Sequence, residues 1–167
     1  MGTMTVSQAL RRIKKIKGAL TEHLDHAARG VTHLADQEPA FAFKASLELA
    51  GAARTEMLDL QASVAAANVK TIVDFDGEPM SLARAARTLA ELKGEIAWVR
   101  SLSVKDQSKT VEATQVYDAR TSAYVHGSRT WTCHLAEVER VKLVTSLQDK
   151  FDRLNDLVET ANHKTLV

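Results

Sequence analysis

Apolar residues recur along this chain at steps of three and four, the period of one helix face, and they do so in four separate stretches. In the first, Leu10, Ile13, Ile16, Leu20, Leu24, Ala27, Val31 and Leu34 average close to 3.5 residues per step, which is a coiled-coil seam. Thr5 and Gln8 have the spacing of a capping box, so a helix is predicted from about Val6. Asp36-Gln37-Glu38-Pro39 breaks the pattern, and Pro39 suits the first turn of a second helix, where its missing N–H costs nothing. That helix carries Phe43, Leu47, Ala50, Met57, Leu60, Val64 and Ala67 on one stripe. The two together predict an antiparallel helical hairpin over about 6–68, with arms of roughly 45 Å each.

The period then changes. A β-rich run from Thr71 to Phe75 meets Asp76-Gly77, the strongest short hairpin signal, and predicts a small β ribbon over about 70–80. Pro79 cannot donate to a ladder and confines its strand to an edge. Ser81 is placed to cap a third helix over about 82–102, whose seam is Leu82, Ala86, Leu89, Leu92, Ile96, Val99 and Leu102. From about 103 to 132 helical periodicity is lost among Thr, Ser, Val and Tyr. Thirty structureless residues are rare in a compact domain, so this segment is read as an extended arm or irregular β ribbon packed on another subunit. A fourth helix, about 134–161, carries Leu135, Val138, Val144, Leu147, Phe151, Leu154, Val158 and Ala161. The expected fold is mainly α: a long antiparallel helical hairpin and two further long helices, with a small β hairpin and an extended arm, in one domain over 1–167.

Composition narrows the function. The 167 residues are 45% apolar and 26% charged, with a net charge of +1, so no global basic field draws the chain to nucleic acid. Cys133 is the only cysteine, which excludes an intramolecular disulfide and fits a reducing compartment. The first twenty residues place charges where a secretory signal needs an apolar run, and no stretch approaches the ~20 apolar residues of a membrane span. A cytoplasmic protein without a membrane partner is expected.

Several short runs carry a family resemblance. Asn68-Val69-Lys70-Thr71, the turn at Asp76-Gly77, and Ser81-Leu82-Ala83-Arg84-Ala85 opening a helix resemble the septicolysin-like family of small bacterial and phage proteins. Val6-Ser7-Gln8-Ala9-Leu10 and the segment from Leu147 to Val167 are similar in spacing. The resemblance implies long helices joined by a β hairpin and assembly into an oligomer, and the family name implies a pore-forming toxin. His163 stands where a tryptophan is usual in that family, and His134 where an acidic N-cap is expected.

The richest chemistry lies between Tyr117 and Trp131. Tyr117, Arg120, Tyr124, His126, Arg129 and Trp131 are candidate ligand-binding residues, because Arg forks grip phosphate or carboxylate and aromatic faces stack on bases. The same residue types anchor subunit interfaces, so the competing reading is an inter-subunit arm. Arg11, Arg12, Lys14, Lys15 and Lys17 read as a solvated basic face, since Glu22 and Asp25 follow on the same helix. His23, His26 and His33 could share a helical face, but structural zinc wants four ligands, and no metal is expected. Cys133 beside His134 lacks an orienting third group and reads as a small buried hydrophobe. Asp74, Asp76 and Glu78 fall short of a calcium loop. Phosphate-loop and dinucleotide motifs are absent.

The expectation is a non-enzymatic homo-oligomeric binding protein without a cofactor, holding an anionic small molecule such as a nucleotide in pockets at subunit boundaries. The alternatives are an assembly protein without ligand, and the toxin implied by the family name.

Overall fold

The capping box at the start of the first helix forms as the sequence predicts. Gln8 N–H donates to Thr5 Oγ1 at 3.3 Å and Thr5 N–H donates to Gln8 Oε1 at 2.9 Å, opening α1 (Val6–Arg29). These coordinates are a computed structural model that describes residues 3–105 and 111–167, the side chains at 111–113, 116, 128 and 129 aside. α1 stops at Gly30, whose N–H donates to the carbonyls of His26 and Ala27, both at 3.0 Å. Val31 and Leu34, expected on the seam, lie instead in an exposed connection. The Phe41 ring folds back and stacks on His26 with centroids 3.9 Å apart. α2 (Phe43–Lys70) therefore starts later than predicted, and Pro39 sits in the connection rather than in the first helical turn. A residue before proline is pushed out of the α region, which favours that outcome.

α1 and α2 pack as an antiparallel pair, but on a seam shifted from the predicted one. The seam runs through buried and half-buried Val6, Ala9, Ile13, Ile16, Leu20, His23 and Ala27 on α1, and Ser46, Ala50, Ala53, Met57, Leu60, Val64 and Ala67 on α2. Both sets alternate steps of three and four, the a and d positions of a heptad. Leu10, Leu24 and Leu47 fall one residue beyond the seam and are 46%, 39% and 49% exposed. One residue is 100° of helix, enough to turn a leucine from the core to its flank. The reason lies in size: Ala9, Ser46, Ala50 and Ala53 let two backbones approach closely, although leucines outrank them in hydrophobicity. At the flanking g positions Arg12 Nε donates to Glu56 Oε1 at 2.8 Å and Arg12 Nη2 shares that oxygen, the cross-helix pairing an antiparallel heptad allows.

The small hairpin closes this unit. β1 (Ile72–Phe75) pairs antiparallel with β2 (Glu78–Ser81) across Asp76 and Gly77, with φ of 54° and 84°. Two successive positive φ angles make a type I′ turn, and Asp74 Oδ1 braces it by accepting from Gly77 N–H at 2.9 Å. Pro79 faces Asp74. Phe75 and Glu78, flanking the turn, form the hydrogen-bonded pair, so Pro79 falls on the next, non-hydrogen-bonded pair and its missing donor breaks no ladder bond. Val73, Phe75 and Met80 turn inward. Ser81 Oγ then accepts from Arg84 N–H at 3.2 Å and caps α3 (Leu82–Ser101), as predicted. The tail returns to the start: Val6 N–H donates to Thr165 O and Val167 N–H to Met4 O, both at 2.9 Å.

The chain's contacts divide into two compact units, Met1–Thr88 with Leu154–Val167, and Leu89–Arg153. The second holds the later part of α3, a second hairpin of β3 (Val111–Asp118) and β4 (Ala123–Thr130), and the first part of α4 (Glu137–Lys164). Within the arm expected over 103–132, residues 111–130 form a regular ribbon in continuous register from Val111↔Thr130 to Asp118↔Ala123, and 106–110 lie outside the described residues. α4 begins at Glu137, where Ala136 N–H donates to Glu139 Oε2 at 3.0 Å, so His134 lies ahead of the cap. Among the described residues no helix is long and apolar enough to cross a membrane.

Candidate functional site

The β3–β4 hairpin carries the residues singled out from the sequence, and its feet are fixed by polar bonds. Arg140 on α4 donates from Nη1 to the Arg100 carbonyl at 3.0 Å, supplying a partner to a free carbonyl at the end of α3. Arg140 also donates from Nε to Glu137 Oε2 at 2.8 Å and from Nη2 to Oε1 at 2.5 Å, a two-point fork. That hydrogen bonding holds the Glu137 carboxyl below its ordinary pKa and raises the Arg140 guanidinium. Arg100 Nη2 donates to Gln148 Oε1 at 3.2 Å, and Gln148 Nε2 passes the link to Asp152 Oδ1 at 3.0 Å. Just outside the strands, Lys105 Nζ stands 3.5 Å above the Trp131 ring, a cation–π contact between the segments entering and leaving the hairpin.

The six candidate residues are dispersed along this ribbon. Tyr117 and Tyr124 are direct cross-strand partners near the tip, with centroids 5.5 Å apart and rings at 64°, an edge-to-face pair. His126, opposite Gln115, follows Tyr124 by two residues and shares its face. Arg120 lies in the turn, where its N–H donates to Asp118 Oδ1 at 2.9 Å, and Ser122 takes a φ of 50° to close the loop. Arg129 pairs with Glu112 in the backbone register, and its side chain is outside the described residues. Trp131 follows the end of β4. At about 3.4 Å per residue, Tyr124 and Trp131 are roughly 24 Å apart along the strand. One hairpin therefore gathers Tyr117, Arg120, Tyr124 and His126 at its tip and leaves Trp131 at its base.

Every one of the five described candidates is exposed, Tyr117 at 54% and Tyr124 at 70%. No family model, curated protein or solved structure matches this chain. What the site can do is therefore read from its own residues.

Among the described residues no group of three or more His, Cys, Asp or Glu is placed to hold a metal. His23 is half-buried on the α1 seam, His26 is stacked on Phe41, and His33 lies in the connection beyond α1. Cys133 is half-buried, and its Sγ contacts the Leu135 carbonyl oxygen at 3.0 Å. The sequence reading missed a hollow of about 520 Å³ beside the α1–α2 pair, lined by Met4, Ala52, Asp59, Leu60 and the Arg12–Glu56 pair among others. The heptad register would have located it, because Arg12 and Glu56 take facing g positions only when the seam is read through Ala9 and Ala53.

Proposed function

We propose that the chain is a non-enzymatic, homo-oligomeric binding protein whose β3–β4 hairpin forms the boundary between copies. The observation that carries this reading is the exposure of the hairpin's aromatic and apolar side chains. Eight-residue strands pair only with each other among the described residues, and they leave Tyr117, Tyr124, Val125 and Trp131 open to solvent. A two-stranded ribbon alone is marginally stable in water, and exposed edges invite pairing. A neighbouring copy supplies both the missing strand contacts and the apolar cover.

On this reading an anionic ligand sits where two copies meet. Because Arg120 and Trp131 lie near opposite ends of the ribbon, a pocket containing both requires the tip of one hairpin beside the base of another. Tyr117 and Tyr124 would provide stacking faces, with Arg120 and Arg129 supplying positive charge to a nucleotide-like anion. The helix–β ribbon–helix run from Asn68 to Ala85 supports kinship with septicolysin-like proteins as part of the same proposal.

The test is Tyr117→Ala with Tyr124→Ala, read by light scattering after size exclusion and by helical circular dichroism. The account expects lost oligomer mass with the helical signal retained. An oligomer of unchanged mass would refute it.

A further inference from the structure

The two flanks of the α1–α2 pair are treated differently. On the g flank Arg12 meets Glu56, as an antiparallel heptad favours. On the e flank the facing residues are Lys17 and Arg54, two like charges, with Lys14 one turn away. All three are exposed, and among the described residues none makes an ion pair. Like charges at such positions weaken a helical pair, so the hairpin's own folding does not account for them. Leu10 and Leu58 border this basic band on one side, Leu24 and Leu47 on the other, all 39–54% exposed. The leucines bracket the charges instead of being bracketed by them, and each is already half covered by the hairpin. That arrangement suits a third helix laid in the groove better than a lipid surface, which takes apolar groups deep into its interface.

A matching face exists on the same chain. α4 exposes Val138, Val141, Thr145, Asp149 and Asp152 at helical steps. Laid antiparallel to α1, that order reads against Ala28, Leu24, Thr21, Lys17 and Lys14. Lys17 to Leu24 spans about 10 Å and Asp149 to Val141 about 12 Å at 1.5 Å per residue, so acid meets base at the same level that apolar meets apolar. We propose that the basic e flank of the α1–α2 hairpin docks the Val138–Asp152 face of α4 from a second copy of this chain. In this register and direction the acidic and basic positions match at one level and the apolar positions at the other. This rests on the homo-oligomer reading above and adds a second contact surface to it.

The experiment uses the full chain as three proteins: wild type, K14E with K17E, and D149K with D152K, read by light scattering and by their circular dichroism. Each double variant is expected to self-associate ~100-fold or more weakly than wild type, because like charges then face each other. An equimolar mixture of the two variants should recover the wild-type mass, since the reversed faces complement each other. Unchanged mass in either variant, or no recovery on mixing, would overturn this contact while leaving the β-hairpin boundary standing. A monomeric wild type would overturn both.

Discussion

Leu154 on α4 offers the sharpest test of where the core of the first unit sits. Its side chain is fully buried at 0% exposure, among the largest such groups in the chain. Leu154→Ala removes three carbon atoms from water-free surroundings, a transfer loss of roughly 2.4 kcal/mol at ~0.8 kcal/mol per group. The cavity left behind raises the cost, and buried leucine truncations fall between about 2 and 5 kcal/mol. We expect ~3 kcal/mol, which for a chain of this size lowers the melting temperature by roughly 6–12 °C. Leu143, on the same helix and 42% exposed, is the internal control. Leu143→Ala keeps the helix former and loses only half-covered surface, so its cost should stay under about 1 kcal/mol. Thermal melts of both variants at one protein concentration, repeated at a tenfold dilution, separate folding from association. If Leu154→Ala melts within 2 °C of Leu143→Ala, the helix is not packed as described and the reasoning fails.

Two glycines in the first unit should respond with opposite signs. A Cβ on Gly30 would press on the Phe41 carbonyl oxygen, so Gly30→Ala should destabilise by about 1–3 kcal/mol, whereas Gly18→Ala meets open space within α1 and should stabilise by about 0.5–1 kcal/mol; urea unfolding of the two variants decides it. Gly77→Ala, at a φ of 84°, should cost about 1 kcal/mol and weaken the β1–β2 turn, seen as faster amide exchange in β1 and β2. The lowered pKa of Glu137 predicts a small contribution to stability that is present above the ordinary glutamate range and lost as pH falls through the depressed value. Acid titration of the α4 start by amide exchange should show that step in wild type and not in Arg140→Ala; identical titrations would refute the link.

Much of the architecture was legible because its signals are local. Thr5 with Gln8, Asp76 with Gly77, and Ser81 each act within four residues, and each forms the cap or turn its chemistry predicts. The seam was legible only in part. Ile13, Ile16, Leu20 and Ala27 are where hydrophobicity places them, but the choice between Ala9 and Leu10, or Ser46 and Leu47, depends on how closely two helices approach. That is a property of the pair and not of either sequence stretch. The second hairpin was under-read for a similar reason. Its strands lack strict alternation and its ladder is held by partners five to nineteen residues away, while the ties at its feet join Arg140 to Arg100 across forty residues. The candidate residues were found by composition, which located the segment but could not show that its tip and base lie roughly 24 Å apart.

The central claim is that copies of this chain assemble and that their boundary can hold an anion. Native mass spectrometry of the freshly purified protein tests it directly, reading oligomer mass and any retained small molecule together. The account predicts a defined homo-oligomer carrying a stoichiometric extra mass that is lost on Arg120→Ala with Arg129→Ala while the oligomer persists. A bare monomer under gentle conditions would contradict it.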